Sequence, residues 1–250
     1  MSPRARNLLV GWLLALLAMA AFATAGRWQL GRMHGKEAML AAAGKALDQD
    51  KPQPLLLASD PGRAAAYDWA LGTGRIANAT VWLDNQQREG RTGVRMYCVL
   101  FPDDGVQPVL VDAGWWPLGG RRELPVFGCP AGGAQSVRGL LAPPPSTGIA
   151  HGAPLAPSGG ERWLAVRLDL PAVSRALGLS TGLAPRVLRL DPKRHGDDAG
   201  VMLASGERDL AILANTLTPE RHLGYAVQWF GLAITVLVVA LVLTLRKQKR

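Results

Sequence analysis

The sequence predicts a membrane protein: a two-helix transmembrane hairpin carrying an exported α+β domain with a mainly antiparallel sheet. Three observations predict it. Twenty uncharged residues separate Arg6 from Arg27, and twenty-four separate Arg221 from Arg246; about 20 are enough to cross a hydrocarbon core of about 30 Å. The charge excess is mostly terminal: of the net +9, six charges sit at the ends, with Arg4 and Arg6 before the first run, Arg246, Lys247, Lys249 and Arg250 after the second, and none of the 19 acidic residues in either end. Between the runs, short β-prone segments alternate with Gly- and Pro-containing turns. The interior, Arg27 to Arg221, holds 22 basic against 19 acidic side chains, a balance that argues against a nucleic-acid partner and for membrane lipid.

The elements follow in order. Residues 1–6 read as a cytoplasmic tail and 7–26 as the first transmembrane helix. A cleaved leader competes here, because Ala23-Thr24-Ala25 resembles a small-residue cleavage site; the apolar stretch nevertheless exceeds the usual leader core of roughly 7–15 residues. Residues 222–245 form the second span, in which Leu232 to Leu245 contain only Thr235 and Thr244 as polar members. Residues 246–250 are a second cytoplasmic tail. Cationic flanks stay in the cytoplasm, so both termini face it and 27–221 is exported; Arg27, Arg32 and Lys36 oppose this, but a long loop translocates despite its charge.

Within the exported domain, 36–50 has helix-forming composition and extends the first span outward. Residues 51–62, broken by Pro52, Pro54, Pro61 and Gly62, read as a connector. Strands are expected at Thr80–Leu83, Val94–Phe101, Pro108–Asp112, Val137–Leu141, Arg162–Leu170 and Arg186–Leu190, with a polar stretch containing Asn85, Gly90 and Gly93 between the first two. Asp169 is placed to cap a short helix from Pro171 to Gly178. The Pro-, Gly- and Ser-rich stretch 143–160 reads as a mobile loop.

Motifs for catalysis are absent: no HExxH, CxxC, Walker loop or Gly-x-Ser-x-Gly occurs. The expectation is therefore a protein that is not an enzyme, with a membrane-tethered hydrolase as a weaker reading. Gly72-x-Gly74-x-x-Ala77 precedes β-prone residues rather than a helix, so it reads as a turn entering a strand. Cys98 and Cys129 fit either one disulfide in an oxidising compartment or a buried thiol at Cys98. His34, His151 and His195 sit in polar or Gly-rich settings and read as surface residues.

His222 differs, because it opens the second span at its outward end. On a helix, Tyr225 and Trp229 fall within about 60° of it, giving one face a nitrogen ligand and two rings. An interfacial aromatic belt explains the same residues; Gln228, lying deeper, favours function or helix contact. Gly26-Arg27-Trp28-Gln29 leaves the membrane where His222 enters it, since both bound the same exported loop. A planar, iron-bearing ligand suits this place, with imidazole for iron, Trp28 and Trp229 for ring contact, and Arg27, Arg32 and Arg221 for carboxylates. Met19 is a conceivable second ligand, although a lipid-facing methionine explains it as well.

These residues resemble the surfeit locus protein 1 family of assembly factors for haem–copper cytochrome c oxidase. The similarity runs through Gly26-x-Trp28-Gln29 with Arg32 and Lys36, Trp82-Leu83-Asp84-Asn85 with Gly90 and Gly93, Val109 to Pro117, and His222-x-x-Tyr225-Ala226-x-Gln228-Trp229-Phe230. Where the family often has an arginine before its Gly-Trp pair, this chain has Ala113. The resemblance implies a multi-pass protein of the bacterial inner (plasma) membrane, its central domain periplasmic, that binds haem a transiently and aids its insertion into oxidase subunit I. Its implied partners are subunit I and, as a further candidate, haem a synthase. His222 is then the iron ligand, and Trp28, Gln29, Tyr225, Trp229, Arg27 and Arg221 complete the cofactor site. A scaffold that steadies subunit I without touching haem is the alternative.

Overall fold

The structure, a computed structural model, describes residues 2–49, 51–104, 107–130, 132–146, 152–193, 206–214 and 216–246. His151, His195, Lys247, Lys249 and Arg250 lie outside them, as does part of the 143–160 stretch. The chain divides into two compact units, Met1–Leu40 with Thr216–Arg250, and Ala41–Asn215.

The first unit is built from two helices, α1 (Pro3–Leu47) and α3 (Pro219–Leu245), both long and apolar enough to cross a membrane. At 1.5 Å per residue the 45 residues of α1 extend about 68 Å, more than twice a hydrocarbon core; the expected continuation past residue 26 is present. Pro219 occupies the first turn of α3, where its missing N–H costs nothing, and Glu220 places an acid near the positive end of the helix dipole. The outward-facing residues Leu13, Leu14, Leu17, Ile234 and Val238 are exposed, an arrangement that suits an apolar surrounding. Along the seam, Trp12 Nε1 donates to Thr244 Oγ1 at 3.0 Å and Phe22 stacks on Trp229 at 5.7 Å. A Cβ at Gly26 would sit 2.9 Å from the Phe230 ring, so glycine permits the close approach there.

The second unit is a sheet domain. Its strands are β1 (Gln53–Pro54), β2 (Asp68–Arg88), β3 (Arg91–Pro102), β4 (Val109–Pro117), β5 (Ala134–Ala142), β6 (Leu155–Pro157), β7 (Arg162–Ala165) and β8 (Val187–Leu190); α2 (Leu170–Ala176) lies between the last two. Asp169 caps α2 as expected, its carboxylate accepting from the Ala172 N–H at 2.9 Å. Hydrogen bonding runs from β2 through β3, β4, β8 and β5 back to β2, closing a five-stranded circuit, with β7 and β6 extending from β2.

The sheet is mixed: its long ladders, β2–β3, β2–β5 and β3–β4, and the shorter β5–β8 and β6–β7 are antiparallel, with parallel joins between them. β1–β2, β2–β7 and β4–β8 pair in parallel, because long connections return strands that hairpin signals cannot place. β2 begins at Asp68, before the expected Thr80, and the Gly72–Ala77 stretch lies inside it rather than in a turn. Added Cβ atoms would meet Leu55 at Gly72 and the Phe101 carbonyl at Gly74, so these glycines serve close packing. The polar stretch 85–88 also remains strand, pairing with Arg91–Gly93; the turn is Glu89-Gly90, both at positive φ, as a two-residue hairpin requires. Residues 155–157 form β6 within the stretch read as a loop, 53–54 form β1 within the connector, and β7 stops at Ala165, short of Leu170.

Alternation along β2 and β3 buries both faces. Trp82, Met96, Cys98 and Leu100 point into one core with Val111, Leu141 and Leu188, while Val81, Tyr97 and Val99 point into another with Val173 and Leu183. Ala43 and Ala46, at the end of α1, join Tyr67, Trp69 and Leu140 in a third cluster. Cys98 and Cys129 are joined in a disulfide, with Cα atoms 5.6 Å apart. Cys129 N–H also donates to Thr80 Oγ1, fixing the loop after β4 against the sheet.

Two ion networks lock the domain. Fully buried Arg186 pairs with Asp68, which also receives Arg63, and donates to the Leu57 carbonyl. Arg95 and Arg189 bridge Asp112 on β4 to Asp209, and Arg88 and Arg91 reach Glu207, so four arginines hold the returning segment 207–209.

Candidate functional site

The site lies in the helix pair. His222 is in the first turn of α3, where its backbone N–H makes the opening bond to the Thr218 carbonyl. The residue is 5% exposed, and its Nδ1 lies 2.7 Å from the Gln29 side-chain oxygen of α1. A carbonyl oxygen only accepts, so Nδ1 carries the hydrogen and Nε2 keeps the lone pair. This is the tautomer a metal-binding imidazole uses when its other nitrogen is held by an acceptor.

The predicted residues separate into groups. Gln29 and His222 meet directly. Trp229 is half-buried and spends one ring face on Phe22. Ala226, one turn after His222, is buried and completes the seam. Tyr225 flanks the seam and is exposed, as are Trp28, Arg27 and Arg221. Trp28, at 60% exposure, presents a large ring to the surroundings, consistent with an interfacial position.

One residue escaped attention as a site member. Lys36 is buried, and its Nζ donates to Thr216 Oγ1 at 3.0 Å. Burial, reinforced by Arg32, holds its ammonium below the ordinary lysine value. The signal was present in the spacing, since Gln29 and Lys36 are seven positions apart and share a helix face. The charges of Arg32 and Lys36 both bear on His222.

An apolar cleft between the same helices is lined by Gly11, Trp12, Ala15, Val236, Val239 and Ala240. It lies at the opposite end from His222 and contains no titratable side chain, so it does not contribute to this chemistry. No group of three or more His, Cys, Asp or Glu side chains suited to a metal ion occurs among the described residues.

A sheet domain between two apolar helices, with an imidazole hydrogen-bonded to a glutamine in the helix seam, defines a membrane-associated protein. The sequence matches the SURF1 family over residues 16–234, and the chain belongs to that family, the surfeit locus protein 1 group associated with cytochrome oxidase assembly. It is a family of assembly factors, not of enzymes. No curated protein matches the chain.

Proposed function

We propose that this protein holds haem a at the outer end of its helix pair and aids its transfer into subunit I of cytochrome c oxidase, receiving it from haem a synthase. The observation that carries this reading is the Gln29–His222 hydrogen bond. It leaves a neutral imidazole with one free nitrogen in a seam flanked by aromatic rings and by cations that have no carboxylate partner among the described residues. When bound, haem would supply an iron centre able to take a nitrogen ligand. His222 would donate Nε2, Gln29 would hold the imidazole in place, Trp28, Tyr225 and Trp229 would shield the macrocycle edge, and the exposed Arg27 and Arg221 would add positive charge at its margin. One nitrogen ligand without a second histidine suits cargo that must later be released.

The exported orientation belongs to the same proposal: both termini in the cytoplasm, 27–221 in the periplasm of a bacterial inner membrane. The Cys98–Cys129 disulfide supports it, because such bonds persist in oxidising compartments. The test is purification of the full chain from cells that make haem a. The wild type is expected to carry a haem a absorption band, and His222→Ala to lose at least ~90% of it, about the tenfold that 1.4 kcal/mol represents. Equal haem in both proteins, with oxidase assembly intact, would replace this reading by the scaffold that steadies subunit I without binding haem.

A further inference from the structure

Among the described residues three cationic side chains are buried: Lys36, Arg95 and Arg186. Arg95 faces Asp112 and Asp209, and Arg186 faces Asp68. Lys36 has no such partner among the described residues, and neither do Arg27, Arg32 and Arg221. Of the three N–H donors an ammonium carries, the Thr216 hydroxyl accepts one. A buried charge without a counter-charge is strongly unfavourable, and its retention points to an anion supplied from outside the chain.

The placement of Lys36 specifies that anion. Gln29 and Lys36 lie two helical turns apart, about 10 Å along α1, and Arg32 stands one turn before Lys36 on the same side. Helical side chains lean toward the N-terminus, so the lysine stem leans back toward the level of His222. The seam consequently grades from Phe22–Trp229 and Gly26–Phe230, which are apolar, through Gln29–His222, to Lys36–Thr216. A flat ligand held at its centre by an imidazole, apolar at one edge and carrying carboxylate arms at the other, matches that gradient in one orientation only.

We propose that Lys36, with Arg32, forms a carboxylate subsite that binds the propionate arms of the haem ligated by His222. The subsite rests on the haem reading above. It sets the orientation of the ring, carboxylates outward and apolar edge toward the membrane interior, a matter that iron ligation alone leaves free. Lys36 acts here as a binding residue, with Thr216 holding its ammonium in place.

The experiment titrates full-length protein in detergent with ferric protoporphyrin IX and with its dimethyl ester, reading tryptophan quenching and the Soret band. The wild type is expected to prefer the free acid by roughly tenfold or more, the scale of one charge-assisted hydrogen bond. Lys36→Met, which keeps the length of the stem, should reduce the preference to under about threefold by losing that bond, while the histidine-ligated Soret band persists. Lys36→Arg should restore the preference. Lys36→Gln run in parallel keeps the comparison intact if one variant folds poorly, as judged by circular dichroism. His222→Ala should lose the ligation signature yet still favour the acid with iron-free protoporphyrin. A preference undiminished in folded Lys36→Met and Lys36→Gln overturns the subsite while leaving haem binding in place. A wild type that binds neither probe overturns both.

Discussion

The helix pair and the sheet domain are held together by opposite means. In the sheet domain apolar side chains face inward on both faces of β2 and β3, and buried arginines are matched by carboxylates. In the helix pair the large apolar side chains face outward, and the contacts along the seam are a few polar and aromatic pairs. Water drives the first arrangement, through removal of apolar surface. It cannot drive the second, because lipid is as apolar as leucine and leaves association to packing and hydrogen bonds. The difference teaches where function can reside: a tightly satisfied sheet has little freedom to load and release a ligand, whereas a lightly pinned helix seam does.

The largest expected effect attacks the sheet domain. Asp68→Ala leaves fully buried Arg186 without its counter-charge and should cost about 3–5 kcal/mol, read as a lowered thermal midpoint of the full chain in detergent. Haem retention at the proposed helix-pair site, measured below that midpoint, should be unchanged. Acid provides a second route to the same pair. Burial by itself would raise the Asp68 and Asp209 carboxyls, but Arg63 and Arg186 at the one, and Arg95 and Arg189 at the other, outweigh it and hold both below their ordinary value of 3.8. Their contribution is then fully present above pH 3.8 and lost as the pH falls through the depressed folded values. Acid unfolding of the sheet domain should therefore begin only below that pH, and Asp209→Asn should flatten the dependence.

Removing the disulfide comes next. Cys98→Ala with Cys129→Ala opens a link between residues 31 positions apart and should cost about 3 kcal/mol, again in the thermal midpoint. A smaller effect sharpens the comparison from the other side. Trp12→Phe deletes the bond to Thr244 and should weaken the helix pair by about 0.6 kcal/mol, seen as earlier opening in rising dodecyl sulfate by energy transfer between labels at Leu16 and Val238. The sheet-domain midpoint should not move. A Trp12→Phe penalty as large as that of Asp68→Ala would end the contrast between the two regions.

Much of this arrangement was legible in the residues. The spans could be read because twenty uncharged positions in a row have few other stable settings, and the α2 start because an aspartate before Leu170-Pro171 has a specific donor to accept from. Family membership was legible through Trp28, Gln29, Trp82, Trp115 and His222 in order. The long-range parallel joins were not, since local hairpin signals say nothing about partners as distant as Thr80 and Arg162 or Leu110 and Val187. The continuation of β2 through Asn85 was hidden by its turn-like composition, although Asn85 tolerates the positive φ it adopts there. Cys98 remained open between thiol and disulfide because bridging depends on a loop pinned by Thr80.

Sequence alone determined which segments avoid water, where the charge lies, and which two helix ends bound the same loop, because these follow from transfer free energy and chain connectivity residue by residue. Tertiary structure alone decided that Gln29 orients the His222 ring, that Lys36 is buried without a carboxylate while Arg186 is buried with one, and that the sheet is mixed. Those outcomes depend on pairs far apart in the chain, whose meeting is a property of the whole fold and of no local pattern.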